Sequence, residues 1–221
     1  MDDLKLEPVR QSILSDHVYA QLSEAIISGK LKPGQHLTEQ SLASQLQVSR
    51  IAIREAIHSL AMEGLVRVYP RRGAYVINLT TDDILEIYQL RAAIEKMAVE
   101  LAVKNLTPEW ISALENIIEE MKQPANIQDR LISSRLDTQF HQTIMTISGH
   151  TRGIKIWTQM SRQIQMVLYT VSNYYRDYPH IASWHQQTLN ILIEGDARKA
   201  SENIHSHVME GAYRLLEFLD K

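Results

Sequence analysis

The chain has 221 residues, 44% of them hydrophobic, with 23 Lys+Arg against 26 Asp+Glu and a formal net charge of -3. That length suits two globular units, and no apolar run reaches the about 20 residues a membrane helix needs, so the expectation is a soluble protein with no membrane partner. Cysteine is absent, which excludes disulfides, thiolate metal ligands and cysteine nucleophiles and fits a reducing cytoplasm. The acidic balance argues against a protein that coats nucleic acid, so any DNA binding must come from a local patch.

Residues 1 to about 12 carry no periodicity and read as a tail, without the apolar core of a signal peptide. From Asp16, Val18, Leu22, Ala25 and Ile26 form the apolar stripe of a helix that stops at Gly29, and LKPG (31–34) is a turn. Thr38 follows as an N-cap, with Leu42, Ala43 and Leu46 as the stripe of a short helix. Gln47 and Val48 make a tight turn. Ser49 caps a second helix whose Ile53, Ala56, Ile57 and Leu60 fall on one face, and Gly64 ends it. The runs VRVY (66–69) and AYV (74–76) then read as two strands joined by PRRG (70–73).

Opposite the buried face of the second helix stand Arg50, Arg54 and His58, each one turn from the next. A guanidinium there suits the major groove, where it can bond bidentately to the O6 and N7 edge of guanine. The same residues also describe a small helical core with solvated arginines, but the basic tip at Arg71, Arg72 and Gly73 favours DNA. The segment VSRIAIREAIHSLAMEGLV followed by RRGAYV resembles the winged helix-turn-helix of GntR-family bacterial repressors, and ISGKLKPGQHL matches the family's lead into that unit. The likeness covers about residues 16–76. Ile51 and Ala52 stand where the family usually has Thr-Pro, and Gln40 replaces a basic residue some members use on the preceding helix. The resemblance implies DNA contacts from Thr38, Gln40, Ser49, Arg50, Arg54, His58, Arg71, Arg72 and Gly73.

After a linker at residues 78–80, Thr81 is expected to cap a long helix carrying Ile84, Ile87, Tyr88, Leu90, Arg91, Ile94, Ala98 and Leu101. Thr107 and Pro108 start the next, which Pro124 ends. Further helices are expected at about 126–148, 152–175, 179–194 and 197–219, with breaks at Gly149, near Tyr178 and Pro179, and at Gly195. The fold class is therefore mainly α: a winged helix-turn-helix with a small β-hairpin over residues 1–78, and an all-helical antiparallel bundle over 79–221. GxGxxG, Walker and GxSxG motifs are absent, so nucleotide binding and serine hydrolysis have no support.

Asp137 and His141 lie four apart and project from one helix face, as a ligand pair or an ordinary buried polar pair would. His185 shares a face with Ile181, Leu189 and Leu192, and His207 with Ile204 and Val208, so both point into the bundle. A carboxylate with three neutral imidazoles suits Zn, Ni, Mn or Fe and leaves coordination positions open. The arrangement DTQFH, then WHQQTLNILIEGDARKA, then His207 resembles the FCD ligand-binding domain of the FadR-type branch of GntR regulators. In the metal-binding members an Asp, a His four later and two His on the last two helices hold the ion; here these match Asp137, His141, His185 and His207. The other histidines, among them His205, His150 and His180, read as surface or hydrogen-bonded groups. Arg91 and Arg162 are candidates to clamp a carboxylate, with an internal salt bridge to Glu95 or another acid as the alternative.

The combined reading is a cytoplasmic, homodimeric repressor of a double-stranded DNA operator, whose helical domain binds a divalent metal and a small organic acid effector. Two rivals stand beside it. A metal-dependent hydrolase or lyase would need a general base, which no HExxH-like spacing supplies. A metal sensor would respond to the ion alone.

Overall fold

The computed structural model describes residues 12–175 and 181–219, with side chains at 14–170 and 181–217. The tail at 1–11, the expected break near Tyr178 and Pro179, and His180 lie outside the described residues.

The N-terminal unit runs α1 (Ser12–Ile27), β1 (His36–Leu37), α2 (Glu39–Leu46), α3 (Arg50–Met62), β2 (Val66–Tyr69) and β3 (Gly73–Val76). The apolar positions that set the helical periods are the ones buried. Val18, Leu22 and Ile26 of α1 meet Ile53, Ile57 and Leu60 of α3, closed over by Leu37, Val66, Ala74 and Val76 of the sheet. Ser49 caps α3 by accepting from the Ala52 amide (3.2 Å), and Gln47 takes a left-handed conformation (φ 54°) in the tight turn before it. Thr38 precedes α2 in extended backbone, but its side chain makes no cap hydrogen bond.

The wing is an antiparallel sheet of order β1-β3-β2, one strand more than expected. His36 pairs with Tyr75 and Leu37 with Ala74, a strand of two residues that offers no alternation to read. Gly73 (φ +90°) needs its hydrogen: a Cβ would sit 2.5 Å from His36 Nε2.

The helical bundle comprises α4 (Thr81–Asn105), α5 (Pro108–Lys122), α6 (Pro124–Gln128), α7 (Arg130–Ile147), α8 (Thr151–Tyr175), α9 (Ile181–Glu194) and α10 (Ala197–Leu219). The expected helix at 126–148 is thus two. Asp129 stands between them and accepts from the amides of Leu131 and Ile132, restarting the helix as an N-cap. At the start of α4 the cap is Thr80, one residue before the expected Thr81, because Thr80 Oγ1 accepts from Asp83 N while Asp83 Oδ2 accepts from Thr80 N (2.8 Å). Leu114, Phe140, Leu189 and Ile204 centre one core, and Tyr88, Ile164, Val208 and Ala212 another.

Helix α8 belongs to both units. Met166 joins the N-terminal core, Arg162 Nε donates to Tyr19 Oη (3.3 Å), and Gln163 Nε2 donates to Gly64 O (3.1 Å) at the end of α3. Gly64 is left-handed (φ +69°), and a Cβ there would meet Gln163 Nε2 at 2.5 Å.

Candidate functional site

The exposed face of α3 carries Arg50 and Arg54, whose side chains are 63% and 64% accessible. Both are already oriented by Glu39 at the start of α2. Arg54 donates twice to it, through Nε (3.1 Å) and Nη2 (2.8 Å), and Arg50 Nη2 lies 3.7 Å away. The Arg54 hydrogen bond lowers the Glu39 carboxyl below its ordinary range. Such an exposed pair is weak and readily exchanged for another partner, and it draws both guanidinium groups to one carboxylate at the start of α2. Thr38, Gln40 and His58 are exposed around them, and Arg71 (φ 62°), Arg72 and Gly73 form the exposed tip of the wing. Ser49 spends its hydroxyl oxygen on the α3 cap. Glu39 was invisible as a partner because its contact with Arg54 spans fifteen positions and depends on how α2 crosses α3.

In the bundle, Asp137 and His141 of α7 meet His185 of α9 and His207 of α10, with one ligand atom from each inside a 4.8 Å sphere of separations. His141 Nε2 and His207 Nε2 are 3.3 Å apart, and His185 Nε2 is 3.3 Å from Asp137 Oδ1. His141 and His185 are fully buried, Asp137 and His207 half-buried.

Hydrogen bonds behind the rings decide which nitrogens face inward. His185 Nδ1 lies 2.8 Å from Ile181 O, a carbonyl that can only accept, so Nδ1 carries the proton and Nε2 a bare lone pair. That Nε2 is buried and has no hydrogen-bond partner. His141 Nδ1 lies 2.6 Å from Glu95 Oε2 and, facing a carboxylate, also donates. The centre therefore gathers the inward lone pairs of His141 and His185 beside the Asp137 carboxylate, an arrangement that suits a cation. Burial, followed by the His185 and His141 charges, drives His207 well below the ordinary imidazole range, and burial with Arg91 lowers His141.

Glu95 is the hub of this outer layer. Besides His141 it accepts from Arg91 Nε (2.9 Å) and Trp157 Nε1 (2.7 Å). Burial alone would raise its carboxyl, but the neighbouring His141 and Arg91 outweigh that and hold it down to about 2. Arg91 Nη2 reaches Asp137 Oδ2 (3.3 Å), and against the burial penalty it holds that carboxyl well below its ordinary range. Arg91 is thus in the centre, within the internal salt bridge that its spacing from Glu95 allows.

Arg162 is not. Its guanidinium is used on Tyr19 and on Gln165 Oε1 (3.1 Å), at the contact between α8 and the N-terminal unit, and it is not among the residues lining the cavity at the cluster. Of the aromatics, Tyr88 lines the cavity beside the cluster, Trp157 stands behind Glu95, and Tyr169 packs on the N-terminal core under Arg130. His205 is exposed, and His150 caps α8 by accepting from Gly153 N (3.0 Å). The cavity at the cluster measures about 30 Å³, lined by Tyr88, Arg91, Asp137, His185, His207 and Gly211 among others. That is room for a water or two beside an ion.

Comparison with known proteins agrees with this architecture. Residues 14–76 match the bacterial regulatory proteins, gntR family, and residues 86–210 match the FCD domain. The HTH-type transcriptional regulator YdhC of Bacillus subtilis is 36% identical over 70% of this chain and 68% of its own length. The gluconate operon transcriptional repressor of Bacillus licheniformis is 30% identical over 86% of this chain and 80% of its own. Among solved structures, E. coli McbR/YncC superposes with a TM-score of 0.78 at 22% identity, covering 94% of this chain and 99% of that one, a likeness of fold.

Proposed function

The chain belongs to the GntR family of bacterial transcriptional regulators, in the branch that carries an FCD domain, and from that premise we propose that it is a homodimeric repressor whose operator affinity is set by a metal-held carboxylate effector. DNA binding is the family's activity, and its members are regulators, not enzymes. In this reading residues 1–78 bind the operator, with Arg50 and Arg54 on base edges and Arg71 and Arg72 on the backbone, while residues 79–221 dimerise and sense. Repression is supported by the named roles of relatives such as the gluconate operon repressor.

The observation that carries the sensing half is the bare, buried His185 Nε2 facing Asp137. Asp137, His141, His185 and His207 would hold one divalent ion of the Zn, Ni, Mn or Fe type, and the ion would supply Lewis acidity for binding an anion. Charge balance supports a monocarboxylate. Arg91 cancels one of the two buried carboxylates, Glu95 and Asp137, leaving one negative charge. A divalent ion turns that into one positive charge, which a single carboxylate neutralises in a site where net charge is costly.

Transmission to DNA follows α8, which touches the centre's outer layer through Trp157 and grips the head through Arg162 and Gln163. An effector moves the heads only to the extent that it prefers one arrangement of this rod. The small cavity favours a second reading, in which the ion itself is the signal. Elemental analysis of parent and His185→Ala, with operator binding measured for apo, metal-loaded and metal-plus-acid protein, tests both. Equal metal content in the two proteins refutes the metal reading, and release by metal alone selects the sensor.

A further inference from the structure

Another cavity, of about 160 Å³, lies where the N-terminal unit meets the bundle, and it shares no lining residue with the one at the His cluster. Its floor is apolar and buried: Ile84 of α4, Met166 and Val167 of α8, and Leu215 of α10. Pro33, Asn78 and Thr170 form the rim, and all three are exposed, so the space opens to solvent there.

The lining comes from both sides of the junction. Met166 belongs to the N-terminal core, while Ile84, Val167 and Leu215 belong to a core of the bundle, and Leu79 of the linker lines the cavity and packs against both. Pro33 is fixed to the wing, because the turn that carries it is tied to the end of β3: Gly34 N donates to Val76 O (3.0 Å) and Val76 N to Gln35 O (2.9 Å). A molecule seated in this space therefore touches the wing's supporting turn, the linker and three bundle helices at once. It keeps all of those contacts only while the two units are docked in this arrangement.

The lining also selects the kind of molecule that fits. Among the described residues no ionisable side chain lines the cavity, and Thr170 Oγ1 donates its proton to Met166 O (2.9 Å). A charged group entering it would lose its water with no partner in return. Apolar atoms leave water and gain dispersion contacts with Met166, Val167 and Leu215. An apolar cavity of about 150 Å³ takes up benzene in another protein, so the volume here admits one carbon ring with little more than a methyl group.

We propose that this cavity is a binding site for a small, neutral, apolar molecule the size of one carbon ring, and that its occupation holds the DNA-binding head against the bundle. The site is independent of the metal centre, and its ligand differs from a carboxylate effector in carrying no charge. The test is NMR of the full-length protein labelled at its methionine methyl groups, titrated with toluene and with benzylammonium, which places a charge on the same ring and side carbon. With toluene the Met166 methyl shifts saturably, while that of Met62, 62% accessible on α3, does not. Benzylammonium acts on Met166 at least about tenfold more weakly. Thr170→Phe closes the mouth and Val167→Phe fills the floor, and each weakens toluene binding at least about tenfold. Thr170 is exposed, so the first variant folds even where the second does not. In the parent, toluene slows amide hydrogen exchange across residues 77–80 at least about threefold, and in Thr170→Phe it leaves that exchange unchanged. A Met166 methyl without a saturable response, benzylammonium acting as strongly as toluene, or Thr170→Phe binding toluene like the parent overturns the site. Saturable binding with unchanged linker exchange in the parent overturns the hold on the head.

Discussion

Replacing Glu95 by glutamine tests whether the outer layer controls the metal centre. Glu95 faces three donors: Arg91 Nε and Trp157 Nε1 on Oε1, and His141 Nδ1 on Oε2. A glutamine keeps the shape but has one acceptor oxygen, which belongs on the side where two donors converge. Its NH2 group then faces His141 Nδ1 at the 2.6 Å position and must donate to it. The imidazole proton moves to Nε2, and the nitrogen aimed at His207 loses its lone pair. Loss of such an outer partner lowers metal affinity about 10- to 100-fold, equivalent to about 1.4 to 2.7 kcal/mol. Folding suffers too, since breaking a buried ion pair costs about 3 to 5 kcal/mol. Asp137 still faces Arg91, so the low end applies, and the domain stays folded within a stability of about 5 to 15 kcal/mol. Chelator competition measures the metal affinity, histidine nitrogen NMR the tautomer, and a circular dichroism melt confirms the fold. A folded Glu95→Gln protein with parental metal affinity and an unchanged His141 tautomer would refute the reasoning.

On the DNA side, Arg54→Ala is expected to cost about 1 to 3 kcal/mol of operator binding and relax preference at one base, whereas Arg71→Ala or Arg72→Ala lowers affinity for all sequences and flattens the salt dependence; fluorescence anisotropy at several salt concentrations separates these, and unchanged binding by Arg54→Ala removes it from the reading face. Gln163→Ala, which frees Gly64 O from α8, is expected to leave unliganded operator binding near parental but weaken the effector's influence on it by about 0.5 to 2 kcal/mol, read as the ratio of operator affinities with and without the acid. Thr80→Ala removes one half of the α4 capping box and lowers stability by about 1 kcal/mol, a shift in denaturant midpoint that an unchanged urea curve would contradict. Sedimentation of the full chain at micromolar concentration should show a dimer, and a monomer with undiminished operator affinity would sink the two-headed arrangement.

What the chain's own order of residues determined is the part of the fold governed by local periodicity. Helical spacing of apolar residues, Ser49 as a cap, Gly64 as a stop and PRRG as a hairpin tip each act within a turn or two, and they marked the helix-turn-helix and the bundle helices. Asp137 and His141 were legible as a pair because one helix carries both, and His185 and His207 because each shares a face with buried apolar neighbours. Tertiary structure alone decided the rest. Strand β1 exists only through its pairing with β3, and a two-residue strand has no period to detect. The break at Asp129 is a side-chain cap that an apolar pattern runs straight through. Arg91 and Arg162 are alike in sequence as buried-facing arginines, yet the packing of α4 on α7 sends one to Asp137, and the packing of α8 on α1 sends the other to Tyr19. Glu95's three donors come from α4, α7 and α8, and Glu39's arginines from α3. Such contacts depend on how helices far apart in the chain cross one another, and that angle is set by the summed fit of many side chains, not by the local spacing of a few.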